Sequence, residues 1–252
     1  MSTWPYPAFV AHRGAGKLAP ENTLAAFRAG YAHGYRMFEC DVKSSADDVA
    51  YLMHDDTLER TTNGHGSPLT MNWSELSQLD AGGWHSAAFA GEPLPTLRNI
   101  AQFVRANGCC INLEIKPLPG TQAHTGSVVA QCARALWQGA DPPPLLSSFS
   151  EAALAAARDA APELPRALLF GREPPADWPQ RLKALGCIAL DVHYEAATAD
   201  LIAACRAMGV KLIVYTVNDA ALAHTLLAAG VDMVITDAVQ ALEPDGGMPR
   251  AV

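Results

Sequence analysis

Short runs of apolar and β-branched residues alternate along the chain with longer Ala- and Leu-rich stretches of helical character. The strand-like runs are Phe9–His12, Met37–Val42, Cys110–Lys116, Pro144–Phe149, Arg166–Phe170, Cys187–Asp191, Lys211–Val217 and Asp232–Thr236. Helices are expected near Asn22–His33, Thr96–Asn107, Gly126–Gly139, Ser150–Ala160, Ala176–Leu185, Ala196–Met208 and Asp219–Ala229. Gly34, Gly108, Gly186, Gly209 and Gly230 follow five of these segments, where a left-handed residue closes the last helical turn. Strands alternating with helices in this way predict an α/β protein, and specifically a TIM (β/α)8 barrel. The alternative is an open doubly wound sheet. Against a dinucleotide-binding version of it, His12-Arg13-Gly14-Ala15-Gly16-Lys17 lacks the third glycine that such a loop carries before its helix.

One stretch breaks the rhythm. From about residue 57 to 95 there is no clear long helix, but there are Gly64, Gly66, Gly82, Gly83 and Gly91 together with Trp73, Trp84 and Phe89. A segment of this length without a barrel element is uncommon and is usually functional. It reads as an excursion over one barrel mouth, with a short helix within Thr70–Leu76 and its aromatic residues packing it onto the barrel.

Composition narrows the picture without redirecting it. The 252 residues are half hydrophobic and carry 18 Lys and Arg against 26 Asp and Glu, a net charge of -8. That is a globular composition, long enough to bury a full core. The acidic balance argues against nucleic acid as a partner, while leaving room for a small phosphate substrate that one or two placed cations can hold. The 6 cysteines form no C-x-x-C pair and lie among apolar neighbours, as buried thiols of a reducing, cytoplasmic compartment do. Met1–Val10 has no signal-peptide pattern, and no apolar run approaches the ~20 residues of a membrane span, so no stable membrane insertion is expected.

In a barrel, chemistry gathers at the C-terminal ends of the strands. Side chains alternate along a strand, so Val10 and His12 share a face, as do Glu39 and Asp41, and Glu114 and Lys116. Phe38, Cys40 and Val42 point the other way, towards the helices. Three carboxylates converging in a partly buried site repel one another and require protons or a cation. An all-oxygen set suits a hard divalent ion, Mg2+ or Ca2+, rather than Zn2+. His54 follows another β-like stretch, Val49–Met53, directly after the Glu39/Asp41 strand. Two histidines beside a cation-bound phosphate would suit a proton-in, proton-out displacement.

His12-Arg13-Gly14, Pro20-Glu21-Asn22-Thr23, Glu39-x-Asp41-Val42, His54-Asp55 and Glu114-Ile115-Lys116 together resemble the signature set of the glycerophosphodiester phosphodiesterases, within the phospholipase C-like phosphodiesterase superfamily. The similarity continues in order through Leu58–Thr62, Gly91–Leu97, Tyr215–Asn218, Gly230–Asp232 and Ile235–Asp237. It implies one TIM-barrel domain over residues 1–252, with a small inserted subdomain after the second strand at about 57–95. It also implies metal-dependent hydrolysis of glycerophosphodiesters, small-molecule substrates of lipid and glycerol metabolism, to sn-glycerol 3-phosphate and an alcohol. By residue match, Glu39, Asp41 and Glu114 would hold one divalent cation. His12 and His54 would be general base and general acid, and Arg13 and Lys116 would hold the phosphate. Tyr215 stands where the family often has Trp and would line the substrate pocket. Glu21 would act from behind, on Arg13 or His12, while Asn22 or Thr23 caps the following helix. Competing readings are a lyase that stops at a cyclic phosphate and a non-catalytic phosphodiester-binding barrel. Headgroup preference, the choice between Mg2+ and Ca2+, a cyclic intermediate and oligomeric state stay open at this point.

Overall fold

The computed structural model describes residues 4–242 and 244. Its elements run β1 (Phe9–Ala11), α1 (Leu24–Ala32), β2 (Met37–Ser44), β3 (Ala50–Leu52), α2 (Trp73–Leu76), α3 (Leu97–Ala106), β4 (Cys110–Ile115), α4 (Gln122–Leu136) and β5 (Leu145–Ser148). They continue with α5 (Glu151–Ala160), β6 (Arg166–Phe170), α6 (Trp178–Leu185), β7 (Ala189–His193), α7 (Ala199–Met208), β8 (Lys211–Tyr215), α8 (Ala220–Ala229) and β9 (Met233–Thr236). Every strand except β3 pairs in parallel, and β1 pairs with both β2 and β9, so the sheet closes on itself. This is the TIM barrel that the alternation predicts, not an open sheet.

Alternation along the strands divides the core in two. Phe38, Cys40 and Val42 of β2 and Ile111, Leu113 and Ile115 of β4 join the apolar faces of the helices in an outer layer. The opposite positions Met37, Leu145, Ala167, Ala189, Ile213 and Met233 join Val10 and Ile235 in a smaller cluster inside the barrel. Towards the C-terminal ends the inward positions turn polar. Glu39, Asp41 and Lys43 on β2, Asn112 and Glu114 on β4, Ser147 on β5 and Asp191 on β7 are all buried. Polar groups in such numbers are not what a packing core selects.

Three boundaries differ from the sequence expectation for physical reasons. Strand β7, the sixth of the barrel, is Ala189–His193, two residues beyond Cys187–Asp191. Cys187 is spent closing α6 beyond its left-handed Gly186 cap, its N–H donating to Leu182 O. Helix α4 starts at Gln122, ahead of Gly126. Gly126 lies inside it because a Cβ there would stand 2.2 Å from Ala153 O of α5, so its absence lets the two helices touch. Strand β2 runs on to Ser44 and pairs antiparallel with β3, Val42 opposite Leu52.

Beyond β3, residues 53–96 carry only α2 and single 3-10 turns at Pro68–Thr70 and Ala87–Phe89. The short helix expected within Thr70–Leu76 is α2, opened by a capping box between Asn72 and Glu75. Tyr51, Met53, Leu58, Leu76, Ala81 and Leu94 form a separate apolar cluster under this stretch. Trp73 packs on Tyr51 with ring centroids 6.0 Å apart, and Phe89 packs on the outer layer. Trp84 departs from the expectation, its side chain remaining 40% exposed while its N–H donates to Ala81 O. Among the described residues, no helix is long and apolar enough to cross a membrane.

Candidate active site

The ladder between β2 and β4 places Asp41 opposite Glu114 and Glu39 opposite Asn112. Glu39, Asp41 and Glu114 therefore point into the barrel at adjacent levels. One carboxylate oxygen from each lies within 4.8 Å of the others, and all three residues are buried. Part of the cluster is already committed. The Arg13 backbone N–H donates to Glu39 Oε2 at 3.1 Å, and Asn22 Nδ2 donates to Asp41 Oδ2 at 2.8 Å. Asn22 also accepts from the Asp41 N–H, so one amide grips the strand and its carboxylate together. The remaining oxygens, Glu39 Oε1 and Asp41 Oδ1, are buried with no hydrogen-bond partner among the described residues. Unpaired oxygens gathered in a buried cluster of this donor type fit a hard divalent cation.

The electrostatics agree. Burial, then repulsion from neighbouring carboxylates, pushes the Glu39 and Glu114 carboxyls up from their ordinary value. Burial acts on Asp41 in the same direction, but Arg13 and then Lys116 outweigh it and hold that carboxyl well below the usual range. Lys116 Nζ donates to Glu114 Oε1 at 2.6 Å and stands 3.6 Å from Asp41 Oδ1. Arg13, on a left-handed backbone with φ 52, places Nε 3.2 Å from Asp41 Oδ2 and donates from Nη1 to Glu21 Oε1 at 2.7 Å.

The two histidines arrive by different routes and are held alike. His12 follows β1, with its N–H on Thr236 O of β9. His54 is returned to the mouth by the β2–β3 hairpin, and the Met53 N–H before it donates to Asp41 O. His12 Nδ1 lies 2.6 Å from Asp237 Oδ1, and His54 Nδ1 lies 2.6 Å from Asp55 Oδ1. Burial favours a neutral Asp237, but the hydrogen bond from His12 outweighs it; the Arg60 hydrogen bond is the main force holding Asp55 low. Both acids are thus ionised acceptors, so each Nδ1 carries the proton and each Nε2 is left for chemistry. His12 Nε2 stands 3.7 Å from Glu39 Oε2.

A pocket of about 220 Å3 is lined by His12, Arg13, Glu39, His54, Glu114 and Lys116, with Phe149 and Tyr215 on its wall. Tyr215 presents its ring to the pocket, because its hydroxyl donates to Phe170 O at 2.9 Å. Glu21 touches Arg13 and not His12. Its two oxygens also accept from Arg60, which donates in turn to Asp55. A continuous chain of contacts therefore runs from His54, by a hydrogen bond to Asp55, and on through ion pairs of Asp55, Arg60, Glu21 and Arg13 to Asp41. Thr23 is the cap of α1, accepting from the Ala26 N–H, and Asn22 serves Asp41 instead.

Asn22, Asp55, Arg60 and Asp237 stand inside the motifs that carry the resemblance but have no role at the reacting groups in the sequence reading, and Asp191 lies there only in a strand-like run. Asp237 was open to inference, since barrel closure sets Ala11 beside Thr236 and so places the residues following each strand together. A glycine keeps this junction tight. A Cβ at Gly16, which also has φ 57, would stand 2.1 Å from Asp237 O. Lys43 is a further buried cation, 3.2 Å from Asp56 Oδ1 and from Lys116 O, where it ties the ends of β2 and β4.

Residues 12–241 match the Glycerophosphoryl diester phosphodiesterase family. A glycerophosphodiester phosphodiesterase of Caldanaerobacter subterraneus is 32% identical over 232 residues, covering 90% of this chain and 93% of the relative. Among solved structures, an Oleispira antarctica phosphodiesterase in complex with the product sn-glycerol-3-phosphate superimposes with a TM-score of 0.88 at 35% identity, covering 93% of this chain and 94% of that one. A glycerophosphodiester phosphodiesterase from Agrobacterium tumefaciens gives a TM-score of 0.79 at 31% identity, over 93% and 99% of the two chains.

Proposed function

The chain belongs to the glycerophosphoryl diester phosphodiesterase family, and on that premise we propose that it hydrolyses glycerophosphodiesters to sn-glycerol 3-phosphate and an alcohol with the aid of one divalent cation. The observation that carries this reading is the meeting of Glu39, Asp41 and Glu114 within 4.8 Å, in a pocket also lined by His12 and His54. The Oleispira enzyme's complex with sn-glycerol-3-phosphate supports the glycerol end of the product.

Glu39, Asp41 and Glu114 would hold Mg2+ or Ca2+, both of which accept oxygen ligands. When bound, such an ion neutralises phosphate charge and makes a neighbouring hydroxyl or water more acidic. The chain's own residues supply the rest. Arg13 and Lys116 line the pocket with positive charge for the non-bridging phosphate oxygens, the first as a planar fork and the second as a point charge. His12, fixed through Nδ1 by Asp237, takes the nucleophile's proton on Nε2. His54, fixed by Asp55, returns a proton from Nε2 to the departing alcohol oxygen. Burial pushes the His54 imidazole below its ordinary value, which favours the neutral ring, so as general acid it must first take up a proton, a step that a negative phosphate beside it favours. The nucleophile is water or the glycerol 2-hydroxyl; the second route passes through a cyclic phosphate that is then opened.

Product analysis tests this reading. With glycerophosphocholine and Mg2+ or Ca2+, ³¹P NMR is expected to end on sn-glycerol 3-phosphate. A cyclic phosphate that persists would make the protein a lyase, and binding without turnover would make it a phosphodiester-binding barrel.

A further inference from the structure

Asp191 has no part in the chemistry derived above. It stands at the middle of β7, completely buried, and lines the same pocket as the acid cluster. Neither of its carboxyl oxygens has a hydrogen-bond partner among the described residues. Its neighbours in the barrel wall are aliphatic, Leu169 on β6 and Ile213 on β8. Asn112, across the barrel on β4, lines the pocket too, and its Oδ1 is likewise buried and unpartnered. A buried carboxyl without a partner is unfavourable, and an aliphatic residue would fill this inward position at less cost. A local rule broken where a pocket passes is the mark of a group kept for a ligand.

We propose that Asp191 is a specificity-determining residue, hydrogen-bonding a hydroxyl of the substrate's glycerol unit at the inner end of the pocket. The proposal rests on the glycerophosphodiester reading and deepens it. The Asp191 and Asn112 oxygens call for O–H donors, while Leu169 and Ile235 beside them call for C–H surface. A small polyol offers both within a few atoms. The wider substituent on the phosphate is then left to Phe149 and Tyr215 on the pocket wall, with Phe149 48% exposed.

The test is a binding cycle that needs no turnover. Affinities of sn-glycerol 3-phosphate and of n-propyl phosphate, its analogue without hydroxyls, are measured by calorimetry in Ca2+ buffer for the full chain and for Asp191→Leu. The unaltered protein is expected to prefer the glycerol compound by about 10- to 100-fold, and Asp191→Leu by less than about 3-fold, since only a lost hydroxyl contact erases that ratio. Asp191→Leu is also expected to melt at a higher temperature, because it removes an unpaired buried carboxyl. Asp191→Asn, which keeps an oxygen acceptor, should restore part of the preference and serves as the reading if the Leu variant does not fold. No preference in the unaltered protein, an undiminished preference in Asp191→Leu or, where that variant does not fold, an undiminished preference in Asp191→Asn overturns the proposal. If the preference depends on Asp191 but glycerophosphodiesters are not hydrolysed, the proposed activity falls and the hydroxyl contact stands.

Discussion

His12 and His54 are two imidazoles held in one fashion, each with Nδ1 on an ionised aspartate and Nε2 free to carry a proton. If both move protons, His12→Ala and His54→Ala should each lower kcat by about 10²–10⁴-fold in steady-state assays of folded protein. Near-normal turnover in either would remove that residue from the scheme. Asp237→Asn should leave His12 in place but lose control of its tautomer, lowering kcat by about 10–100-fold with little change in KM; an unaltered kcat would reduce Asp237 to a surface acid. The residues that the sequence brought together are those whose relation is local. Glu39 and Asp41 share a face because they are two apart on one strand, and Glu114 joins them through the next parallel strand. Asp237 ends the last motif of the resemblance, but its pairing with His12 is not legible there because the two are 225 positions apart in the chain and meet only on closure.

Elements decide how firmly these side chains are held. The hairpin from β2 to β3 reverses the chain so that His54 comes back beside Asp41. Arg60, farther along, fastens it through Asp55 and Glu21. Arg60→Ala should therefore lower kcat by about 10-fold or more without abolishing the fold; unchanged kinetics would show that the His54–Asp55 pair holds itself. Gly126 is a packing position far from the chemistry. Gly126→Ala should destabilise the protein by about 1–3 kcal/mol in denaturant titration by forcing α4 off α5, while KM stays constant. Helix and strand types were readable from periodicity, but boundaries failed where tertiary contact overrode the local signal. Gly126 looked like a helix start because nothing in the local pattern reports the backbone of α5. The shift in β7 mattered more. In the sequence Asp191 is the last residue of the run Cys187–Asp191, whereas in the fold it stands in mid-strand, an unpaired acid inside the barrel.

For the molecule as a whole, the barrel mouth concentrates negative charge that the fold itself does not fully neutralise. The carboxyls of Glu39 and Glu114 are raised above their ordinary 4.5, so between that pH and their folded-state values the native protein holds more protons than the unfolded chain. Their contribution to stability is complete below pH 4.5 and is lost as pH rises through the raised values. Metal-stripped protein should accordingly lose this contribution with rising pH. Added Mg2+ or Ca2+ should raise the melting temperature more at about pH 8 than at about pH 5, because at the lower pH the ion must displace protons. Equal shifts at both would separate the cation from these carboxyls. The central claim, that three acids at one end of the barrel hold an ion on which turnover depends, is tested most directly by release of sn-glycerol 3-phosphate from EDTA-stripped protein before and after Mg2+ or Ca2+ is restored. Loss of activity on stripping and recovery on restoration, with recovery blunted in Glu114→Gln, is the predicted result; full activity in the stripped protein would contradict it.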